Sequence, residues 1–144
     1  MPARFPTPRL PFESAPLRGL SVLVVDDNAD ARQIFTLVLR QAGAVVSAVG
    51  SAAAATRRLK HLDPDIVMTD LSMPRRDGVW LLQWIRTRDE RRKTHTPVIA
   101  VTARDDLYDV NDLRFDSCLV KPVRWGALLA SLLAITARAA AASV

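Results

Sequence analysis

The chain has 144 residues, about the length of one domain, and 49% of them are hydrophobic, enough to build one packed core. No apolar run nears the roughly 20 residues that span a bilayer, and the proline-rich N-terminus lacks the apolar stretch of a secretory signal, so a cytoplasmic protein without membrane association is expected. A formal charge of +5 and a pI near 10.3 leave room for acidic partners. No helix-turn-helix pattern, zinc-ligand spacing or aromatic stacking motif accompanies that charge, so DNA binding is not expected.

Residues 1–19 contain Pro2, Pro6, Pro8, Pro11 and Pro16, which fix φ and remove backbone donors. They read as a flexible tail, with Leu10, Phe12 and Leu17 available to tack it onto the domain. Leu20 to Val25 is a β-branched run of the kind that forms a buried parallel strand. It ends at Asp26, Asp27 and Asn28. A helix follows, with Ile34, Leu37, Val38 and Gln41-Ala42 at helical spacing and Gly43 as its stop. Ala44 to Val49 reads as a second strand. Ser51 is the expected N-cap of a helix reaching Leu62, with Ala52, Ala55, Leu59 and Leu62 on one face. Asp65 to Asp70 is a third strand that ends on a carboxylate.

A loop with Pro74 leads into a helix from Gly78 to Arg88, with Leu81, Leu82 and Ile85 inward. Pro97 to Thr102 is a fourth strand. A short acidic helix is expected between Asp106 and Leu113, then a fifth strand from Ser117 to Val120 and a last helix from Trp125 to about Ala140. Residues 141–144 are expected to be disordered. Strands that alternate with helices argue for a parallel sheet covered on both faces, an α/β fold. Ligands of such sheets sit beyond the carboxyl ends of the strands.

Those ends carry Asp26 and Asp27, then Asp70, Thr102 and Lys121. Each residue alone has an ordinary structural use: acidic pairs favour helix N-termini, and threonine is common in strands. Their joint placement at four strand ends points instead to one site. Carboxylates that close repel unless neutralised. A hard cation with oxygen ligands does this, and Mg²⁺ suits few carboxylates plus waters and phosphate oxygens. Asp70 is then the candidate nucleophile toward phosphorus, with Lys121 and the Thr102 hydroxyl holding phosphoryl oxygens.

The text Val24-Val25-Asp26-Asp27-Asn28, Asp65 through Pro74, Asp77-Gly78, Pro97 through Ala103 and Val120-Lys121-Pro122 resembles the receiver domain of bacterial two-component response regulators, in its stand-alone, chemotaxis-regulator-like form. The resemblance covers about residues 20–140. It implies a flavodoxin-like three-layer fold, with a five-stranded sheet in the order 2-1-3-4-5 and about five helices. It implies that Asp70 receives a phosphoryl group from a sensor histidine kinase or histidine phosphotransfer protein, and that a downstream protein reads the result. It further implies that Asp27 binds Mg²⁺ directly, Asp26 largely through water, and Ser72 through its backbone carbonyl. Lys121 would contact the phosphoryl group, its bond to Pro122 would be cis, and Thr102 would move toward a phosphoryl oxygen. Apart from phosphorylating and dephosphorylating itself, such a protein is not an enzyme.

The sequence departs from that pattern at several places. The family's aromatic switch, three residues before the lysine, is Cys118, which reads either as a small buried residue or as a redox-sensing thiol. The stretch between Thr102 and Lys121 is about three residues short, and Arg114 stands where a glycine is usual. Tyr108 or Phe115 is expected to fill part of the vacant aromatic position. Arg76 reads as solvated or as an attractor for an acidic donor, and Ser72 and Arg104 flank the phosphoryl position. The run Arg86, Arg88, Arg91, Arg92 and Lys93 is either a solvated face or a docking patch. A second reading keeps the fold as a contact-only binding module that is not phosphorylated. A related phosphohydrolase is disfavoured, because its Asp-x-Asp motif is replaced here by adjacent carboxylates.

Overall fold

The computed structural model describes residues 15–103 and 114–142. Within them the chain runs β1 (Ser21–Val25), α1 (Ala29–Gln41), β2 (Val45–Val49), α2 (Ala52–Leu59), β3 (Ile66–Asp70), α3 (Gly78–Arg92), β4 (Val98–Thr102), β5 (Ser117–Val120) and α4 (Trp125–Ala142). All strand pairs are parallel and the order is β2-β1-β3-β4-β5, as expected. The helix expected between Asp106 and Leu113 lies outside the described residues.

Alternation along the strands builds two cores. Val22, Val24, Ile66, Met68, Ile99 and Val101 face one side, where Phe35 and Leu39 of α1 and Leu128, Leu132 and Ile135 of α4 cover them. Leu23, Val25, Val67 and Val98 face the other, under Ala55 and Leu59 of α2 and Leu81, Leu82 and Ile85 of α3. Strands buried on both faces explain why the sequence shows continuous apolar runs rather than alternation.

The inward face of α1 is Phe35, Val38 and Leu39. Ile34 and Leu37, which share the expected helical spacing, are about half exposed. Helix α2 stops at Leu59 rather than Leu62. Helix α3 runs four residues past Arg88 and ends where Lys93 takes a left-handed conformation at φ 54°. Leu17 is buried, and its N–H donates to the Ala42 carbonyl at 2.8 Å, so the end of the proline-rich segment is tied to the C-terminus of α1. Gly43 permits that contact. Its φ is +102°, and a Cβ there would meet Ala15 Cβ and Arg18 N at 2.9 Å.

Candidate functional site

The order β2-β1-β3 means that the chain reverses its winding between β1 and β3, so a crevice opens beyond their carboxyl ends. Register places Val25 beside Thr69, Asp70 beside Val101 and Thr102 beside Val120. The residues that end or follow these strands are thereby brought together. Carboxylate oxygens of Asp26, Asp27 and Asp70 lie within 4.8 Å of one another. Lys121 Nζ donates to Asp70 Oδ2 at 3.1 Å and stands 3.6 Å from Asp26 Oδ2.

Asp26 and Asp70 are buried, and Asp27 is exposed. The Asn28 N–H donates to Asp26 Oδ1 at 2.9 Å, and the Ser72 N–H donates to Asp70 Oδ1 at 3.2 Å. Burial pushes the Asp70 carboxyl above its ordinary range, while Lys121 and the Ser72 N–H pull against that push. Burial alone would lower Lys121, but Asp70 and Asp26 outweigh it and hold the ammonium above its usual value. The helix-capping use open to Asp26 and Asp27 falls to neither. Asn28 is the N-cap of α1, accepting the Ala31 N–H at 2.9 Å.

On the other side of Asp70, Asp77 caps α3 and Gly78 lets the helix start against the strand. A Cβ on Gly78 would sit 2.4 Å from the Asp70 carbonyl oxygen. Thr102 is fully buried, and its hydroxyl donates to the Ala103 carbonyl at 3.0 Å. The Lys121–Pro122 peptide bond is cis. Arg76 is exposed and lies over the Trp80 ring, 4.4 Å from its centroid. Arg104 lies outside the described residues.

Residues 22–133 match the response regulator receiver domain family. This chain belongs to that family. The receiver domain is 30% identical over 112 residues to the Regulator of RpoS of Escherichia coli, covering 76% of this chain and 32% of that protein. It is 33% identical over 128 residues to Probable histidine kinase 2 of Oryza sativa, covering 77% of this chain and 12% of that protein. The chain thus spans a third or less of these relatives' lengths. A receiver domain protein from Clostridium thermocellum has the same fold, with a TM-score of 0.76 and 25% identity over 83% of this chain and 95% of the other. Receiver domains are signalling modules of two-component systems, not metabolic enzymes. No helix among the described residues is long and apolar enough to cross a membrane.

Cys118 of this receiver domain pairs with Ala100 across β4 and β5. Cys118, Val79 and Phe115 all pack on the small cluster of Leu71 and Ala100. Phe115 therefore supplies aromatic bulk to the same cluster; Tyr108 lies outside the described residues. Burial raises the Cys118 thiol above its ordinary pKa, which disfavours the reactive thiolate. Alkylation of the folded protein by iodoacetamide is expected to be slower than that of the unfolded chain at neutral pH. Its rate should still be climbing at pH values where an ordinary thiol has levelled off. Equal rates in the two states would show an open thiolate and favour redox sensing.

One support at this end of the sheet had no signal in the sequence. Arg32 Nη1 donates to the Asp26 carbonyl at 2.7 Å, bracing the acidic turn from α1. It lies close against Gly50, where a Cβ would stand 2.9 Å from Nη1. An arginine one turn into an exposed-looking helix reads as solvated until the fold brings Gly50 alongside.

Proposed function

We propose that Asp70 accepts a phosphoryl group from a phosphohistidine of a sensor histidine kinase or histidine phosphotransfer protein, in a Mg²⁺-dependent cytoplasmic phosphorelay. The signal then passes to a downstream protein by contact or by onward transfer of the phosphoryl group. Residues 20–140 form the unit that does this. One observation carries the reading: a single ammonium, Lys121, bridges two buried carboxylates, Asp70 and Asp26, at the crevice between β1 and β3.

In the transfer, an Asp70 carboxylate oxygen forms the new O–P bond while the donor's N–P bond breaks. The bonding pair stays on the imidazole nitrogen. Lys121 offsets negative charge on the phosphoryl oxygens, and the Thr102 hydroxyl turns from the Ala103 carbonyl to hold another. The donor set fits a hard divalent cation, since clustered like charges and all-oxygen ligands favour one. Asp26, Asp27, Asp70 and the Ser72 backbone carbonyl would hold Mg²⁺. The chemistry supplied by the bound ion is neutralisation of the carboxylate and phosphoryl charge that Lys121 alone leaves unbalanced.

Incubation with Mg²⁺ and a small phosphodonor such as acetyl phosphate is expected to add one phosphoryl mass to the intact protein. Chelation of the divalent ion should prevent it, and hydroxylamine should remove it. A protein that never gains the mass would overturn the proposal. Cys118 favours one other reading, a contact-only module, because the usual aromatic relay is absent. Partner capture unaffected by phosphodonor would support that reading.

A further inference from the structure

The basic run on α3 does not act as one patch. Arg86 turns inward, donating to Asp89 at 3.1 Å and Asp116 at 2.9 Å. Arg88 and Arg92 both pair with Asp63 beyond the end of α2, Arg92 at 2.6 Å, so two guanidinium groups share one carboxylate. Arg91 is exposed on the same side. Trp80, Trp84, Arg88 and Arg91 follow one another at helical spacing down a single stripe of α3, beside the buried stripe of Leu81, Leu82, Ile85 and Asp89. Lys60, at the C-terminus of α2, stands across from them.

Between these helices lies a groove of about 560 Å³ lined by Lys60, Trp80, Trp84, Arg88, Arg91 and Arg92 with two neutral polar residues, and no acidic side chain lines it among the described residues. Four cations and two indoles therefore meet in one groove, and Asp63 is the neighbouring counter-charge. From Trp80 to Arg91 the stripe is about 16 Å long, the reach of about five extended residues.

We propose that this α2–α3 groove docks an acidic peptide segment of a partner protein. Its carboxylates would pair with Lys60, Arg91 and Arg92, and an aliphatic side chain would seat against Trp84. Charge complementarity selects an anion, and the indoles select an apolar residue beside it. Single-stranded nucleic acid would also satisfy the charge, but it needs open ring faces for base stacking. Arg76 already covers one face of Trp80, and both indoles are half-buried against the core. The surface involves no residue of the phosphoryl site, so it is independent of the function proposed for Asp70.

The test uses the full chain and a short fluorescein-labelled peptide of glutamates with a central leucine, followed by anisotropy. Saturable binding is expected, weakening as salt is raised. It should weaken by about tenfold or more in the double variant Lys60→Glu/Arg91→Glu. Trp84→Ala should lose affinity for the leucine peptide but not for an all-glutamate control. Circular dichroism and phosphoryl uptake of the exposed-charge double variant should match wild type. Asp70→Asn should bind the peptide unchanged, which separates failure here from failure of the phosphoryl reading. Absent saturation, affinity unchanged in the double variant, or tighter binding of a single-stranded oligothymidylate would each overturn the proposal.

Discussion

Asp70→Asn is expected to abolish phosphoryl uptake while leaving the fold as stable as wild type or slightly more so. The functional loss follows from nucleophilicity: an amide oxygen does not displace the imidazole of a phosphohistidine. The stability sign follows from the site. Asp70 is 8% exposed, its burial penalises the charged form, and Asp26 repels it. Asparagine keeps the shape and one acceptor for the Ser72 N–H, and it removes one charge from a cluster of three. Lys121 loses its 3.1 Å partner but retains Asp26 and is about one-third exposed, so its loss is screened. The net change should lie within about 1 kcal/mol of zero and on the stabilising side, as is common when a functional charge is removed. Mg²⁺ gives a second readout. At a hundred times its Kd, a ligand of the native state alone stabilises by about 2.7 kcal/mol. The wild-type melting temperature should therefore rise with Mg²⁺, and that of Asp70→Asn should rise less. Phosphoryl mass on the variant would place the acceptor elsewhere.

The crevice was legible from sequence because each strand is a short apolar run that stops at a chemically distinct residue. Asp26, Asp70, Thr102 and Lys121 mark the strand ends, and parallel topology brings such ends to one side. Helix faces were less legible. Helix α1 carries a wide apolar arc opposite Arg32, Gln33, Thr36 and Arg40, so spacing alone did not separate the inward Phe35 and Leu39 from the exposed Ile34 and Leu37 at its edge. The end of α3 was hidden for a different reason. Its left-handed cap is Lys93 rather than glycine, so nothing in the residue type announces it. The basic run looked uniform for want of its partners. Asp63 and Asp116 are distant in sequence and meet the arginines only in the fold, while Asp89 lies within the run, one helical turn from Arg86.

That set of acidic partners yields the largest expected effect on stability. Asp89 lies in the last turn of α3 and is 4% exposed. Its carboxylate accepts the Thr96 N–H at 2.9 Å, the Thr96 hydroxyl at 2.8 Å, the Thr94 hydroxyl at 3.1 Å and Arg86 Nη1 at 3.1 Å. Arg86 in turn donates to the Thr96 carbonyl at 2.6 Å and to Asp116, which accepts the Val98 N–H at 2.7 Å. The network thus ties the end of α3 to the start of β4 and β5. Asp89→Ala would leave the buried Thr96 N–H without its acceptor and take from Arg86 one of its two carboxylates, and removing one partner of such a network costs about 3–5 kcal/mol. For a domain of this size that is a fall in melting temperature of roughly 10 °C or more. Asp89→Asn keeps one acceptor for Thr96 and should cost less than half as much. Both variants should still take up a phosphoryl group below their melting temperatures, because the network joins the amino ends of β4 and β5, whose carboxyl ends lead to Thr102 and Lys121. A melting temperature unchanged in Asp89→Ala would show that the carboxylate and its four donors contribute no net stability. Loss of uptake in a folded Asp89→Ala protein would show instead that the two ends of the sheet are coupled.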